Sequence, residues 1–424
     1  MSDKKTITID PRIFIKPPYK KCPKCRKNEY GVLLSVGAGY TRRCRACWHT
    51  QGYELPKLKR KIIYLDQFVL SNMMKSINPN IRVRSGTDTS FYKSLFEKLD
   101  RLSKLQLIVC PSSSTHRDET LTAENRDALK RITEHFSNGI RFYTNGTIQR
   151  FQIENDFKSW LGMNTIVLDV SRVIYGRLSD WSDRLIFSVS LPDYGSDLVN
   201  QIILERKGID DVLLPLFERW KSEKGKGFNY WLQEEQSAVG KSFWGLLEQM
   251  VDNRRKNPYS LESILPTERE VTLIQLFQIL KSEGLDSKKA TIKINEYFST
   301  QIKEVPHIKI SSMLYASMAR DASNDRKKPY NKGTLNDVEF ISSLLPYCDA
   351  MFIDNEFQTR LCDEPIRTKL GYSDNIFSLS RKKDFLEYLD DIENKMTKKH
   401  LDLVHEVYGD WYNHPYVSMF KDNN

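Results

Sequence analysis

The segment at residues 61–73, KIIYLDQFVLSNM, contains the strand on which the predicted fold depends. Its four apolar, β-prone residues at 62–65 predict a short strand that is buried on both faces. The run stops at one acid, Asp66. Because a buried unpaired charge costs several kcal/mol, Asp66 must either be solvated at the sheet edge or lie beside a positively charged group.

Segments typical of helices and strands alternate after this first strand. Apolar residues recur at helical spacing in 91–104, and residues 107–110 predict a second buried strand, followed by a helix that one of the serines at 112–114 or Thr115 caps. The alternation returns late in the chain, with helices predicted at 336–344 and 382–392 and strands at 349–353 and 376–379. This order is typical of a parallel sheet flanked by helices, so we predict the α/β class.

The middle of the chain departs from this alternation. Residues from about 120 to 305 predict mainly long helices, which indicates a large helical insertion into the α/β domain. The predicted helices of this insertion are at 123–137, 196–207, 228–253, 268–282 and 287–303.

The composition is ordinary for a globular protein, with 40% apolar and 28% charged residues. The sequence has no apolar run of the roughly 20 residues that a membrane-spanning helix needs, and its first residues are polar, unlike a signal peptide. We therefore expect a cytoplasmic protein with no membrane association.

The basic charge is concentrated at the N-terminus. Residues 1–61 carry 16 Lys and Arg against four Asp and Glu, whereas the remaining residues have a net charge of −2. So concentrated a basic patch favours contact with phosphates, and a nucleic acid is the expected partner. The alternative is a solvated surface that only improves solubility.

Four cysteines near the N-terminus have the spacing of a metal site. Cys22, Cys25, Cys44 and Cys47 follow the pattern C-x2-C-x18-C-x2-C, in which the 18-residue spacer can fold as a hairpin. Four thiolates at tetrahedral positions suit Zn²⁺, and metal binding can supply the folding energy that so small a module lacks. His49 is a further candidate ligand, but four thiolates already complete the site.

Basic and aromatic residues surround these cysteines. Tyr40 and Trp48 are candidate stacking faces for bases, and this mixture suits nucleic-acid binding without sequence specificity. The basic residues are Lys20, Lys21, Lys24, Arg26, Lys27, Arg42, Arg43 and Arg45. The module resembles a zinc ribbon.

The sequence predicts a division of the chain into domains. These are a zinc ribbon and linker at 1–60, two parts of the α/β domain at 61–122 and 306–395, the insertion at 123–305 and an aromatic-rich tail at 396–424.

Four acids lie beside the predicted strands and helices of the sheet. Asp66 follows the first strand and Glu119 lies at a helix start after the second, while Asp337 opens a late helix and Asp354 follows a late strand. Ligands of parallel sheets gather outside the carboxyl ends of the strands. Two carboxylates about 4 Å apart repel by roughly 4 kcal/mol, so such a cluster favours Mg²⁺ or Mn²⁺ as its neutralising partner.

The order of these acids resembles that of the PIN-domain nucleases. The resembling segments are KIIYLDQF at 61–68, PSSSTHRDE at 111–119 and GTLNDVEFISSLLPYCDAMFIDNEF at 333–357. The resemblance implies a PIN-like parallel sheet in which Asp66, Glu119, Asp337 and Asp354 are catalytic metal ligands. It also implies metal-activated attack of water on a phosphodiester, and it favours RNA over DNA. The long helical insertion departs from the compact family pattern.

Each acid also has a purely structural interpretation as a helix cap or a partner in a surface salt bridge. Asp349, which precedes the late strand, can assist the site or pair with a base. The serines at 112–114 can bind phosphate or cap the helix that carries Glu119. His116 can contact a substrate phosphate, although a capping or packing role is favoured.

Two hypotheses for function follow from these patterns. The first is a metal-dependent, PIN-like endoribonuclease in which the zinc ribbon binds the nucleic acid. The second is a non-catalytic nucleic-acid-binding or adaptor protein in which the α/β domain is a scaffold. A nuclease that is silent until triggered lies between the two.

Overall fold

The structure of the protein is a computed structural model, and it describes residues 10–183, 210–256, 267–324, 326–331, 333–414 and 419–420. The helix predicted at 196–207 lies outside these residues. The described strands are β1 (Lys16–Lys20), β2 (Tyr30–Val36), β3 (Gly39–Cys44), β4 (Thr50–Glu54), β5 (Lys61–Leu65), β6 (Ile108–Val109), β7 (Arg141–Phe142), β8 (Ile174–Tyr175), β9 (Ala350–Phe352) and β10 (Ile376–Phe377).

Helices account for most of the remaining elements. The α-helices are α1 (Gln67–Ile77), α2 (Thr89–Lys104), α3 (Ser114–Leu121), α4 (Arg126–Ser137), α5 (Asn145–Trp160), α6 (Asp210–Ser222), α7 (Phe228–Lys256), α8 (Glu268–Ser282), α9 (Ser287–Thr300), α10 (Pro306–Ser323), α11 (Gly333–Leu344), α12 (Asn355–Cys362), α13 (Ile366–Leu370), α14 (Lys382–Asn394) and α15 (Lys398–Tyr408). Short 3-10 helices lie at Pro11–Phe14, Val170–Arg172, Ile302–Glu304, Leu345–Tyr347, Ser373–Asn375, Leu379–Arg381 and Trp411–Asn413.

The central sheet is parallel throughout and has the strand order β10-β9-β5-β6. Strand β5 pairs with β9 on one side, where Leu65 lies opposite Phe352, and with β6 on the other. The sheet confirms the predicted α/β class and joins elements from both ends of the chain. Because all four strands run in the same direction, their carboxyl ends meet at one edge.

The two faces of this sheet bury different side chains of the same strands. Ile63 and Leu65 pack in a core with helices α1, α2 and α14, whereas Ile62 and Tyr64 pack in a second core with α10 and α11. Side chains of a strand alternate between faces, so a strand covered on both sides needs a continuous apolar run. That requirement explains the sequence pattern that predicted β5.

The helical region between the two parts of the sheet has a core of its own. Residues of α5, α7, α8 and α9 meet in it, with Phe157, Leu276 and Tyr297 fully buried. The bounds of α8 are those predicted, while α9 ends at Thr300 and is followed by a short 3-10 helix. The small antiparallel pair of β7 and β8 was not predicted.

The N-terminal module is an antiparallel sheet in the order β1-β2-β3-β4. The spacer between the cysteine pairs forms the predicted hairpin of β2 and β3. The module also shares an apolar core with α15, in which Val32 and Tyr40 meet Val404 and Tyr408. Its fold is therefore supported by packing as well as by the cysteines, which differs from the sequence-based expectation.

No helix in the described part of the chain combines the length and the apolar character that crossing a membrane requires.

Candidate acidic site and cysteine metal centre

The carboxyl edge of the central sheet positions the first and last of the four predicted acids. Asp66 follows β5 directly, and its backbone N–H donates to the carbonyl oxygen of Phe352 at 2.9 Å. Phe352 ends β9, two residues before Asp354. The pairing of β5 with β9 therefore brings Asp66 and Asp354 to the same edge, although 288 positions separate them in the sequence.

Asp66 is the N-cap residue of α1, but its side chain makes no capping hydrogen bond. Burial, joined by the negative charges of Glu119 and Asp354, raises the pKa of Asp66 to about 7. The backbone N–H groups of Phe68 and Gln67 lower the pKa and only partly offset these effects. A carboxyl group whose pKa is this high is poised to accept a positively charged partner.

Asp354 combines a structural role with a place in the acid cluster. As the N-cap residue of α12, it accepts a hydrogen bond from the backbone N–H of Phe357 at 2.8 Å. Burial nevertheless raises the pKa of Asp354, against the opposing effect of that N–H group. The capping interpretation is thus correct for Asp354, and it accounts for only one of the hydrogen bonds that the carboxylate can accept.

Asp337 lies on the second turn of α11, because the helix starts at Gly333 and not at the predicted residue 336. Asn331 accepts the hydrogen bond of the Thr334 N–H at 3.1 Å, so an N-cap role for Asp337 is wrong. Burial, joined by neighbouring negative charges, raises the pKa of Asp337 to about 8. The carboxylates of Asp66, Asp354 and Glu119 are among these charges, which links all four predicted acids electrostatically.

Helix α3 carries Glu119 and is fixed to the sheet by His116. The Ser113 side chain accepts from the His116 N–H while the His116 ring accepts from the Ser113 N–H, which forms a capping box. Since Nδ1 is the acceptor, the other ring nitrogen, Nε2, donates to the carbonyl of Leu65 at 2.8 Å. Burial lowers the pKa of His116 to about 4, so this ring is neutral and structural.

A second contact beside Glu119 comes from Gln67, which the sequence left without a role. The Gln67 side chain is buried, and its amide donates to the hydroxyl of Thr120 at 2.9 Å. This bond ties the first turn of α1 to α3 next to the acid that α3 carries. Gln67 and His116 therefore position Glu119 from two sides.

Glu356 is a fifth acid near the cluster, and sequence reasoning missed it. Its negative charge raises the pKa of both Asp337 and Asp354. The same carboxylate accepts from Arg326 and from Arg360, each at 2.8 Å. The signal was present in the segment DNEF at 354–357, but only the fold shows that two arginines from different elements hold this acid beside the others.

The four acids do not yet form a closed coordination sphere. Among the described residues, only the four cysteines bring three or more ligand atoms within 4.8 Å of one another. The acids instead lie close enough for their charges to interact, and all four are half-buried. Such an arrangement can attract hard cations, which prefer carboxylate oxygens, if the side chains turn toward a shared ion.

Asp349 lies at the opposite end of β9 and belongs to a structural ion pair. Its carboxylate accepts from the Lys61 ammonium at 2.7 Å and from the Ile62 N–H at 2.8 Å. Of the two predicted roles for Asp349, pairing with a base is the one that the structure supports.

The four cysteines converge as their spacing predicts. Their Sγ atoms lie within 4.8 Å of one another, with Cys22 and Cys44 fully buried. The donor set can hold a metal ion such as zinc, since soft thiolates at the corners of a small cluster suit that ion. His49 is outside this cluster and packs against the ring of Tyr30.

The two halves of the cysteine centre have matching backbones. Arg26 donates its N–H to the Cys22 carbonyl, and Trp48 donates to the Cys44 carbonyl in the same way, at 2.9 and 3.0 Å. Both donors adopt left-handed φ values, 64° and 61°, which cost energy for residues other than glycine. This shared strain indicates that the turns are shaped to direct both pairs of sulfurs inward.

Two members of the predicted basic and aromatic surface are buried instead. Arg42 is 1% exposed, and it donates to the backbone of Pro18, Tyr30 and Glu406. The Tyr40 hydroxyl donates to the Glu406 carboxylate at 2.8 Å, so its ring is not a free stacking face. Charge counting could not distinguish these docking residues from surface residues.

The remaining basic residues keep a surface that could contact phosphates. Lys21, Lys24 and Lys27 are exposed, and the guanidinium of Arg43 lies 4.6 Å from the centre of the Trp48 ring. This arrangement leaves cationic and aromatic groups together on the side of the module that carries the cysteines.

Comparisons of the chain with models of protein families, with curated proteins and with solved structures found no match. The chemistry of the acids and the cysteines must therefore be inferred from their own geometry.

Proposed function

We propose that this protein is a metal-dependent, PIN-like endonuclease that cleaves RNA. The observation that carries the proposal is the electrostatic coupling of Asp66, Glu119, Asp337 and Asp354 at the carboxyl edge of a parallel sheet. Acids that come from four separate elements and raise one another's pKa are costly to a fold. Clusters of this kind are typical of sites at which the cost serves chemistry.

The cluster suits Mg²⁺ or Mn²⁺ by charge and by ligand type. Carboxylate oxygens are preferred by these ions, and binding them would relieve the mutual repulsion of the acids. When bound, the ions would supply positive charge at the scissile phosphate and lower the pKa of an attacking water. Asp66, Glu119, Asp337 and Asp354 would hold the ions, while Gln67 and His116 keep Glu119 in position.

The N-terminal module suits the same substrate. Its exposed lysines, on the module that carries the cysteine centre, would bind the phosphate backbone without reading the sequence. The stacked pair of Arg43 and Trp48 is the kind of group on which unpaired bases stack. Single-stranded RNA is therefore the proposed substrate.

The proposal is tested by cleavage of end-labelled single-stranded RNA in the presence of Mn²⁺ and in the presence of EDTA. We expect cleavage only with the metal, and products with a 5′-phosphate and a 3′-hydroxyl. Asp66→Asn and Asp354→Asn should each lower the rate by about 100-fold or more, since both remove a proposed ligand. Asp349→Asn is the matched control, because its carboxylate pairs with Lys61 at the other end of the strand.

Equal cleavage by the parent protein and the Asp66 and Asp354 variants would remove the acids from the mechanism.

The second candidate, a non-catalytic RNA-binding or adaptor protein, is favoured by one observation. The cysteine sulfurs lie within 4.8 Å of one another, whereas no three of the described acids do. This candidate predicts salt-sensitive RNA binding without turnover, which survives Asp66→Asn and is lost in Cys44→Ser.

A further inference from the structure

A cavity of about 1020 Å³ lies among six helices. Its walls come from α3, α5, α7, α8, α10 and α11. The volume is at the upper end of the range of small-molecule sites, about 300–1000 Å³, and it exceeds what a metal ion or a single water needs.

The cavity shares two helices with the acidic site. Helix α3 carries Glu119 and also lines the cavity through Ser114 and Thr115. Helix α11 carries Asp337 and lines the cavity through Glu339. A molecule in the cavity would therefore contact the helices that hold two of the four acids.

A buried amide in this cavity has an unused hydrogen-bond acceptor. The Asn145 side chain is 7% exposed, and it lies close enough to the Glu339 carboxyl group to lower the pKa of that group. Its Oδ1 atom has no hydrogen-bond partner among the described residues. Because a buried polar atom without a partner costs about 1–3 kcal/mol, Oδ1 calls for a donor in the cavity.

Charged groups of both signs act on Tyr315, an aromatic residue that lines the cavity. Burial raises the pKa of Tyr315, the carboxylates of Glu235 and Glu339 raise it further, and Arg269 lowers it. All three charged groups therefore act on one hydroxyl. Within the described residues, none of these three groups has an ion-pair partner within 4.0 Å. Each of them is therefore available to contact a ligand in the cavity.

We propose that this cavity binds a guanine base, with the Glu339 carboxylate on its N1–H and N2–H₂ edge and Arg269 on its O6 and N7 atoms. Carboxylates accept from base amino groups, and arginine donates to guanine O6 and N7 in many complexes. Asn145 Oδ1 and the second carboxylate, Glu235, offer further acceptors for the amino group or the ribose hydroxyls.

The other bases fit this lining less well. Guanine is the base that presents two adjacent donors, which one carboxylate can accept together. Adenine and cytosine each place a ring acceptor beside the amino group, so the lone pair would face the carboxylate. Uracil has a single donor between two carbonyl oxygens. A site with several acceptors and one arginine therefore discriminates in favour of guanine.

The guanine can come from RNA or from a free nucleotide. The preference for guanine follows from the residues that line the cavity. The assignment of this guanine to RNA rests on the proposed nuclease function. An RNA base that leaves the stack beside the cleaved bond would reach a pocket next to the acids, as splayed bases do in other RNA sites.

The test measures binding and cleavage separately. Calorimetric titration of the wild-type protein in EDTA with GMP, IMP and AMP reports on the cavity without turnover. We expect GMP to bind at least tenfold more tightly than either of the others, because IMP lacks the 2-amino group. Glu339→Gln should lower the affinity for GMP at least tenfold, and Glu283→Gln, on an exposed residue after α8, should leave it unchanged.

The cleavage arm uses pyrimidine oligonucleotides that contain one guanosine, one inosine or neither. Cleavage positioned by guanosine, and at least tenfold slower with inosine, identifies RNA as the source of the base. Selective GMP binding by a protein that cuts no RNA would reject the nuclease function, retain the pocket and indicate a free nucleotide. The proposal is overturned if wild-type protein shows neither selective binding of GMP nor cleavage positioned by guanine.

Discussion

Asp66 and Asp337 show at the scale of single residues what the acidic site costs the fold. Burial, joined by the neighbouring carboxylates, raises the pKa of Asp66 to about 7 and that of Asp337 to about 8. The folded protein therefore binds these protons more tightly than the unfolded chain does. The stability that the protonated groups provide is lost as the pH rises from about 4 toward 8.

Replacement of Asp337 should reveal this cost. Without added metal, Asp337→Asn should stabilise the protein, and the gain should be larger at about pH 8.5 than at about pH 5. We expect a gain of about 2 kcal/mol at the higher pH, less than the full pKa shift implies because the acids titrate together. Thermal unfolding of both proteins in EDTA at the two pH values measures it.

Asp349→Asn is the control for this measurement. Its carboxylate is paired with Lys61, so the variant should lose stability or stay unchanged and should show no gain that grows with pH. A gain in Asp337→Asn that is equal at both pH values would contradict the coupling of the acids.

The sequence allowed the four acids to be placed together because each follows or faces the end of a predicted element. It could not give Gln67 or Glu356 a role, since their partners, Thr120 and the two arginines, come from distant elements. Polar side chains of this kind acquire their function only from tertiary contacts, which no local pattern records.

At the scale of elements, helix α3 depends on a histidine that does no acid–base chemistry. His116 closes the capping box with Ser113 and donates to the carbonyl at the end of β5. The Tyr64 ring stacks on it at 4.9 Å. These contacts set the direction of the helix and hence of Glu119, one turn further on.

His116→Ala should therefore weaken the fold and the site together. The loss of the cap and of one buried hydrogen bond should cost about 1–3 kcal/mol. If the proposed function holds, the cleavage rate should fall because Glu119 is misdirected. KM should change little because the substitution does not weaken substrate binding. Urea unfolding and cleavage kinetics measure the two effects.

His405→Ala is the matched control, because His405 is exposed and contacts Tyr412 at the surface. It should leave the cleavage rate unaltered. A step in the pH–rate profile between about pH 5 and 8 that disappears in His116→Ala would contradict the structural role, since burial holds the pKa of His116 at about 4.

Elements with long periodic patterns were predicted well, and short or unusual ones were not. Helix α8 has the predicted bounds because Leu273, Leu276 and Leu280 recur at helical spacing and Thr267 forms a capping box at the start of the helix. The start of α11 was placed three residues late, since Gly333 and Thr334 are weak helix formers and the cap comes from Asn331. The two-residue strands β7 and β8 are too short to show any period.

At the scale of the whole molecule, the N-terminal module is joined to the C-terminal helix α15 through Glu406. That carboxylate accepts from Arg42 and Tyr40, and it pairs with Lys20. The net charge of the first 61 residues counts Arg42 and Arg43 equally. In the structure, however, Arg42 is buried and Arg43 lies over the Trp48 ring. The two residues therefore allow docking and binding to be separated.

Arg42→Ala should destabilise the protein by about 2–4 kcal/mol, because three carbonyl oxygens lose this donor and the Glu406 carboxylate loses one of its partners. Arg43→Ala should leave stability nearly unchanged and weaken RNA binding. The plot of log affinity against log salt concentration should become less steep by at most about 0.7, the value for one phosphate contact on a single strand. Thermal unfolding and binding titrations at several salt concentrations measure both variants.

Identical effects of the two substitutions on stability would contradict the docking of the module through Arg42. The two-part sheet could be predicted because its strands are short and apolar, and because acids follow β5 and β9. The docking of the module and the cavity among six helices could not, since both depend on how elements far apart in the chain pack. The limits of the predicted domains remain a prediction.

The most direct measurement is the anomalous X-ray signal of Mn²⁺ in crystals of the protein. We expect density for one or two ions with oxygen atoms of Asp66 and Asp354 at about 2.0–2.6 Å, and with Asp337 or Glu119 completing the ligands. Absence of such density from this edge of the sheet at saturating Mn²⁺ would show that the four acids do not form a metal site.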